Sequence, residues 1–207
     1  MILTIDIGNT SIGAALHKDT EPGVLLFWTI PTDKAGTLSS YREQIAGLFK
    51  EEGIDPSSIT HAALSSVVSG LTPIFSALLE EITGRTPFVI SASSSLPFVI
   101  DTEDPSEVGT DLLCDVIGAM NKYPLPLAVF SLGTATACIV VSKKPAVEGV
   151  LITPGVNTSL RSLSRNADAL PDIDIDHPGV LIGRNGHEVS IAVHIAGHGG
   201  EGSVLVI

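Results

Sequence analysis

The first residues of the chain, MILTIDIGNTSIGAAL (Met1–Leu16), place an apolar run on each side of the turn Gly8-Asn9-Thr10. A similar phrase, PLAVFSLGTATACIVV, occupies Pro126–Val141, and its turn reads Gly-Thr-Ala. Each phrase is typical of two strands joined by a short turn. The repetition indicates a second domain built on the plan of the first. Only the first phrase keeps an acid before its glycine, since Asp6 aligns with Ser131.

Strands and amphipathic helices alternate between and after the two phrases. The predicted helices are 39–52, 71–83, 107–121 and 159–169, and the further predicted strands are 24–29, 61–68, 87–90 and 203–207. Strand-helix-strand units usually pair parallel strands in one sheet with helices on its faces. The sequence therefore predicts an α/β protein with mixed sheets, divided into domains at residues 1–115 and 116–207.

Composition narrows the classes of partner. The 207-residue chain carries 11 Lys and Arg against 23 Asp and Glu, a net charge of −12, so a nucleic-acid partner is not expected. The uncharged stretch 123–142 is broken by prolines and a glycine, which argues against a membrane span. The two cysteines, Cys114 and Cys138, suggest no disulfide framework, which favours a reducing cytoplasm.

The two glycine turns favour a phosphate-binding role. A turn of this kind offers backbone N–H groups and hydroxyls, with no side chain at the glycine to block a phosphate. The carboxylate of Asp6 could hold Mg²⁺ over the phosphates. Either turn alone could be an ordinary hairpin. Two matching turns favour a nucleotide held between two related domains, although the chain has no Walker loop and no dinucleotide fingerprint.

Five short motifs carry a resemblance to a known family. They are DIGNT (6–10), SSVV (65–68), DPSEVGTDLL (104–113), LGTAT (132–136), and TPGVNTSLRSLSRNADALP with IGRN (153–171 and 182–185). In this order the sequence resembles the type III pantothenate kinases, within the acetate kinase, sugar kinase, Hsp70 and actin superfamily. The resemblance implies two related actin-like (ribonuclease H-like) domains with a nucleotide cleft between them.

The resemblance also implies a function. It is the ATP-dependent phosphorylation of pantothenate to 4′-phosphopantothenate, the first step of coenzyme A biosynthesis, by a cytoplasmic homodimer that uses Mg²⁺ and a monovalent cation (K⁺ or NH₄⁺). Asp111 matches the general base. The matching ATP contacts are Asp6, Ile7, Gly8, Asn9, Thr10, Ser11, Ile12, Gly13 and Thr134, and the matching substrate loop is Gly109, Thr110, Asp111 and Leu112.

Several positions depart from the family pattern. Leu112 stands where the family has an arginine, and Ser131 stands where an acid holds the monovalent cation. Thr102 and Gly186 replace a substrate-contacting tyrosine and threonine, and family members continue for several tens of residues past Ile207. An alternative interpretation is therefore a catalytically degraded relative that binds nucleotide or a protein partner in a regulatory role.

Overall fold

The protein forms two compact units in a computed structural model that describes residues 1–20, 23–166 and 203–206. Unit 1 comprises residues 1–95 and 106–114, and unit 2 comprises 96–105 and 115–207. The prediction had assigned 96–105 to the first domain. These residues belong to unit 2 because their short strand pairs with a strand of that unit.

Unit 1 is built on a five-stranded mixed sheet. Its strands are β1 (Ile2–Ile7), β2 (Ser11–His17), β3 (Leu26–Pro31), β4 (His61–Ser66) and β5 (Phe88–Val89). The order is β3-β2-β1-β4-β5, with β1, β2 and β3 as an antiparallel meander and β4 and β5 parallel to β1. The central position of β1 puts its carboxyl end, with Asp6, beside the end of β4.

Two helices of unit 1 bury their apolar faces in one core with the sheet. They are α1 (Leu38–Glu51) and α2 (Thr72–Thr83). Thr37 begins α1 with a capping box that it forms with Ser40, and Gly84 ends α2 in the left-handed conformation at φ 66°. The predicted helices 39–52 and 71–83 are thus confirmed within one residue at each end.

Unit 2 carries a second five-stranded mixed sheet. Its strands are β6 (Val99–Ile100), β7 (Leu127–Leu132), β8 (Ala135–Val141), β9 (Ala146–Pro154) and β10 (Ser203–Val206), in the order β10-β7-β8-β9-β6. Strands β6 and β9 were not predicted from the sequence. Helix α3 (Thr110–Met120) begins in unit 1 and continues into unit 2, and α4 (Val156–Asn166) follows β9.

The two units share a plan. In each, an antiparallel meander of three strands has a glycine turn between its first two strands, and another strand flanks the first. The flanking strand is parallel in unit 1 and antiparallel in unit 2. These two mixed sheets confirm the predicted fold class. In the described part of the chain no helix is long and apolar enough to cross a membrane, and residues 123–142 form a turn and two strands.

Candidate functional site

The first glycine turn joins β1 to β2 and is closed by its own backbone. The N–H of Gly8 donates to the carbonyl of Ser11 at 3.0 Å, and a Cβ on Gly8 would lie 3.0 Å from that same oxygen. Asn9, Thr10 and Ser11 are exposed, whereas the flanking Ile7 and Ile12 are fully buried. The predicted segment 6–13 therefore presents to solvent the polar turn and the Asp6 carboxylate, while its isoleucines anchor it in the core.

The segment after β3 braces this turn, which the sequence analysis missed. The N–H of Thr32 donates to the carbonyl of Thr10 at 3.0 Å, and its hydroxyl donates to the carbonyl of Gly8 at 2.8 Å. On the β4 side, the N–H of Val67 donates to the carbonyl of Ile7 at 3.0 Å. The turn is thus tied to both neighbouring segments, so its backbone is held in a fixed position.

Asp6 is joined to the start of α3 through Ser65. Asp6 and Ser65 are register partners on the parallel strands β1 and β4, and their side chains share a hydrogen bond. The Ser65 side chain is buried, with 5% of its surface exposed, and its Oγ lies 3.2 Å from Oγ1 of Thr110. Ser65 therefore connects the acid of the glycine turn with the predicted substrate loop.

Thr110 fixes the first turn of α3 against the end of β4. Its Oγ1 accepts from the N–H of Ser66 at 3.1 Å and donates to the carbonyl of Ser66 at 3.1 Å. Asp111 follows directly, and its Oδ1 accepts from the N–H of Leu112 at 2.9 Å. A side chain at Gly109 would collide with the Asp111 carboxylate. The loop thus brings Asp111 close enough to Asp6 for the two carboxylates to repel each other.

The electrostatics of Asp6 favour a bound cation. Neighbouring protein atoms displace part of its hydration and raise the pKa of Asp6, and the Asp111 carboxylate raises it further, while the Ser65 hydrogen bond lowers it. The side chain stays accessible to solvent. In the described residues no group of three His, Cys, Asp or Glu could hold a metal alone. An exposed carboxylate beside a second one fits Mg²⁺, which usually keeps several waters and binds one or two carboxylates.

The second glycine turn, between β7 and β8, contacts the start of α4. The N–H of Gly133 donates to the carbonyl of Ala135 at 2.9 Å. The carbonyl of Thr134 accepts from the N–H of Gly155 at 3.0 Å and from the hydroxyl of Thr158 at 2.7 Å. Thr134, the predicted ATP contact of this unit, therefore sits in a turn held by Gly155, which precedes α4, and by Thr158 in the first turn of α4.

The positions that depart from the family pattern have different surroundings. Leu112 is buried in the first turn of α3, so its side chain serves packing, and an arginine there would carry its charge into a buried position. Ser131 is half-buried in β7 and brings no charge to the second turn. The Oγ1 of Thr102 is buried and has no hydrogen-bond partner among the described residues. Gly186 lies outside the described residues.

Comparison with known proteins identifies the family. The family model described as "Type III pantothenate kinase" matches residues 2–194. The type III pantothenate kinases of Dictyoglomus turgidum and Exiguobacterium sibiricum are 36% and 33% identical to the chain over 185 residues, which are 89% of this chain and 71% and 72% of theirs. The solved ethanolamine utilization protein EutJ of Carboxydothermus hydrogenoformans is 12% identical, with a TM-score of 0.49, and covers 82% of this chain and 57% of its own. The chain belongs to the type III pantothenate kinase family.

We expect Gly155→Ala to destabilise the second glycine turn. An added Cβ would collide with the carbonyl oxygen of Gly133 and lie 2.7 Å from that of Thr134, and backbone atoms cannot move aside cheaply. The expected loss is about 1–3 kcal/mol of unfolding free energy, measured by urea denaturation. Gly149→Ala in β9 is the control, because its Cβ would meet open space. Equal stabilities of the two variants would contradict this packing.

We expect Asp6→Asn to stabilise the protein at high pH. The folded protein raises the pKa of Asp6 above its unfolded value, so the ionised carboxylate costs stability at every pH above that raised pKa. Calorimetry should therefore give the variant a higher Tm at pH 8. The difference should shrink as the pH falls toward 4, because Asp6 then becomes protonated in the folded parent. A lower Tm at pH 8, or a pH-independent gap, would contradict the raised pKa.

Proposed function

We propose that this chain transfers the γ-phosphoryl group of ATP to the primary hydroxyl of pantothenate and forms 4′-phosphopantothenate, the first step of coenzyme A biosynthesis. The observation that carries the proposal is the row of side-chain contacts from Asp6 through Ser65 to Thr110, which joins the phosphate turn to the segment bearing Asp111. Ser65 hydrogen-bonds to Asp6, its Oγ lies 3.2 Å from Oγ1 of Thr110, and that Oγ1 accepts from the N–H of Ser66. The family match over residues 2–194 supports the choice of substrate.

In this proposal the first turn and Asp6 serve the nucleotide. The backbone of the turn 8–11 lies against the phosphate oxygens, since the turn is braced from two sides and exposes no bulky side chain. Asp6 would hold Mg²⁺ directly or through a water, and the ion would supply positive charge beside the phosphates. A cation at this position would also relieve the repulsion between Asp6 and Asp111.

Asp111 is proposed to orient the attacking hydroxyl and take its proton. Phosphoryl transfer depends mainly on positioning and charge neutralisation, so a fixed carboxylate beside the acceptor hydroxyl is the chief requirement. The hydroxyl of Thr110 holds the backbone next to this carboxylate. Gly109, Thr110 and Leu112 complete the proposed substrate loop, with Leu112 acting through packing because its side chain is buried.

The second glycine turn is proposed to contact ATP through Thr134. Its backbone is fixed by Gly155 and Thr158, which supports a binding role. The monovalent cation is the part of the family mechanism that this chain supports least, because Ser131 offers a neutral hydroxyl where the family has an acid. Dependence on K⁺ or NH₄⁺ stays a prediction.

We also propose a cytoplasmic homodimer. Large apolar side chains of unit 2 are exposed, among them Leu151 and Ile152 in β9 at 62% and 66%, and such surface favours association between copies. The chain has only two cysteines, Cys114 and Cys138, which fits a reducing compartment.

Because Asp6 and Asp111 have different proposed roles, we expect substitutions of the two acids to change different quantities. Asp6→Asn should raise the calorimetric Kd for Mg-ATP by roughly tenfold or more, because it removes the carboxylate proposed for the metal. Asp111→Asn should leave that Kd nearly unchanged and lower kcat for pantothenate by about a hundredfold or more, the usual effect of losing a general base. A coupled ADP-release assay with and without pantothenate measures kcat.

Glu43→Gln is the control, because it removes one negative charge from an exposed position on α1. It should change neither quantity by more than about twofold. Equal losses of Mg-ATP affinity in the Asp6 and Asp111 variants would contradict the division of roles. A parent protein that binds Mg-ATP but releases no pantothenate-dependent ADP would instead support the degraded, regulatory relative.

A further inference from the structure

A lysine outside the motifs discussed above contacts the first glycine turn. Lys34 lies in the loop between β3 and α1, and its Nζ donates to Oδ1 of Asn9 at 2.9 Å. Both side chains are exposed, so a bound anion could reach them. The contact therefore brings a positive charge to the rim of the turn.

The backbone that carries Lys34 is fixed to the turn. The two hydrogen bonds of Thr32, to the carbonyls of Gly8 and Thr10, tie the start of the loop directly to the turn residues. These bonds set where the loop leaves β3, two residues before the lysine. A group bound at the turn would thus lie within reach of the long Lys34 side chain. The backbone that carries this side chain is already ordered before the group binds.

A buried tyrosine also holds the backbone of the same loop through two hydrogen bonds. The hydroxyl of Tyr41, whose side chain has no solvent exposure, accepts from the N–H of Asp33 at 3.0 Å and donates to its carbonyl at 2.8 Å. Gly36 is required beside it, since a Cβ there would lie 2.6 Å from the tyrosine ring. The Asp33 carboxylate accepts from the N–H of Ala35 at 2.9 Å and so caps its own loop. When Lys34 binds a ligand, the conformational entropy that is lost is then mainly that of its side chain, because its backbone is already fixed.

The acidic residues around the first glycine turn leave a need for a positive charge that could attract a phosphate group. Asp6 and Asp111 repel each other, and both would repel a polyphosphate in a chain whose net charge is −12. Both arginines of unit 1 are engaged elsewhere: Arg42 forms a two-bond ion pair with Glu81, and Arg85 contacts His61. Lys34 has its hydrogen bond on the turn itself.

We propose that Lys34 binds the polyphosphate of the nucleotide, exchanging the amide oxygen of Asn9 for a phosphate oxygen when the ligand enters. This inference rests on the proposed function for the identity of the ligand. It differs from the role of Asp6 in one respect. An ammonium group binds a phosphate oxygen without a metal, so the Lys34 contribution persists when Mg²⁺ is removed.

The test compares Lys34→Met with Lys50→Met. Lys50 lies in the last turn of α1 beside the apolar groove between α1 and α2, so both variants lose one positive charge and only one of them loses it at the turn. Calorimetry measures the Kd for Mg-ATP, for ATP in EDTA, for inorganic tripolyphosphate in EDTA and for adenosine. Lys34→Met should weaken the three polyphosphate ligands by roughly tenfold and leave adenosine unchanged. Lys50→Met should stay within about twofold of the parent for all four ligands.

Lys34→Arg separates charge from packing, and should bind polyphosphate within a few-fold of the parent, about threefold. Thermal unfolding checks that each variant is folded. Polyphosphate affinities that are equal in Lys34→Met and Lys50→Met would overturn the proposal, as would a loss confined to Mg-containing samples, an equal loss of adenosine, or a parent that binds no polyphosphate. A parent that binds ATP through Lys34 but phosphorylates no pantothenate would overturn the proposed function alone.

Discussion

The candidate site of unit 1 depends on the hydroxyl of Thr110. This one oxygen accepts from the N–H of Ser66, donates to the carbonyl of the same residue, and lies 3.2 Å from Oγ of Ser65. It therefore fixes the first turn of α3 to the end of β4, next to the carboxyl end of β1. This link ties the segment that bears Asp111 to β4, the strand beside the segment that bears Asp6.

The electrostatics of Asp6 distinguish the first glycine turn from the second. Partial loss of hydration and, to a smaller extent, the nearby Asp111 carboxylate raise the pKa of Asp6, so an ionised acid at this position costs folding free energy. In the proposed function, a metal ion bound by Asp6 would offset this cost. The second turn has Ser131 at the matching position and is instead held by the start of α4. The repeated plan thus carries an acid with a raised pKa at the first turn and a neutral serine at the matching position of the second.

Local patterns in the sequence predicted most of the elements, whereas contacts between distant segments lay beyond them. Alternation and glycine signals found the meanders, and the caps at Thr37 and Gly84 give physical reasons for the bounds of α1 and α2. Strand β9 was missed because AVEGVLITP mixes a glycine and an acid into an apolar run, and its antiparallel pairing with β8 stabilises it. The roles of Thr32 and Ser65 depend on hydrogen bonds to residues far away in sequence, which no local pattern contains. The glycine turns and Asp6 were found because their chemistry lies within a few consecutive residues.

The most direct test of this account is the effect of Thr110→Val on kcat for pantothenate, measured together with the Kd for Mg-ATP. Valine keeps the shape of the side chain and removes the hydroxyl, and Thr110→Ser, which keeps the hydroxyl, is the matched control. The account predicts that the valine variant loses about tenfold or more in kcat, because a small misplacement of Asp111 is costly in phosphoryl transfer. It also predicts that the Kd for Mg-ATP stays within about twofold and that the serine variant keeps most of the parent kcat. Equal kcat values for the valine variant and the parent would contradict the claim that this hydroxyl positions Asp111, the proposed general base.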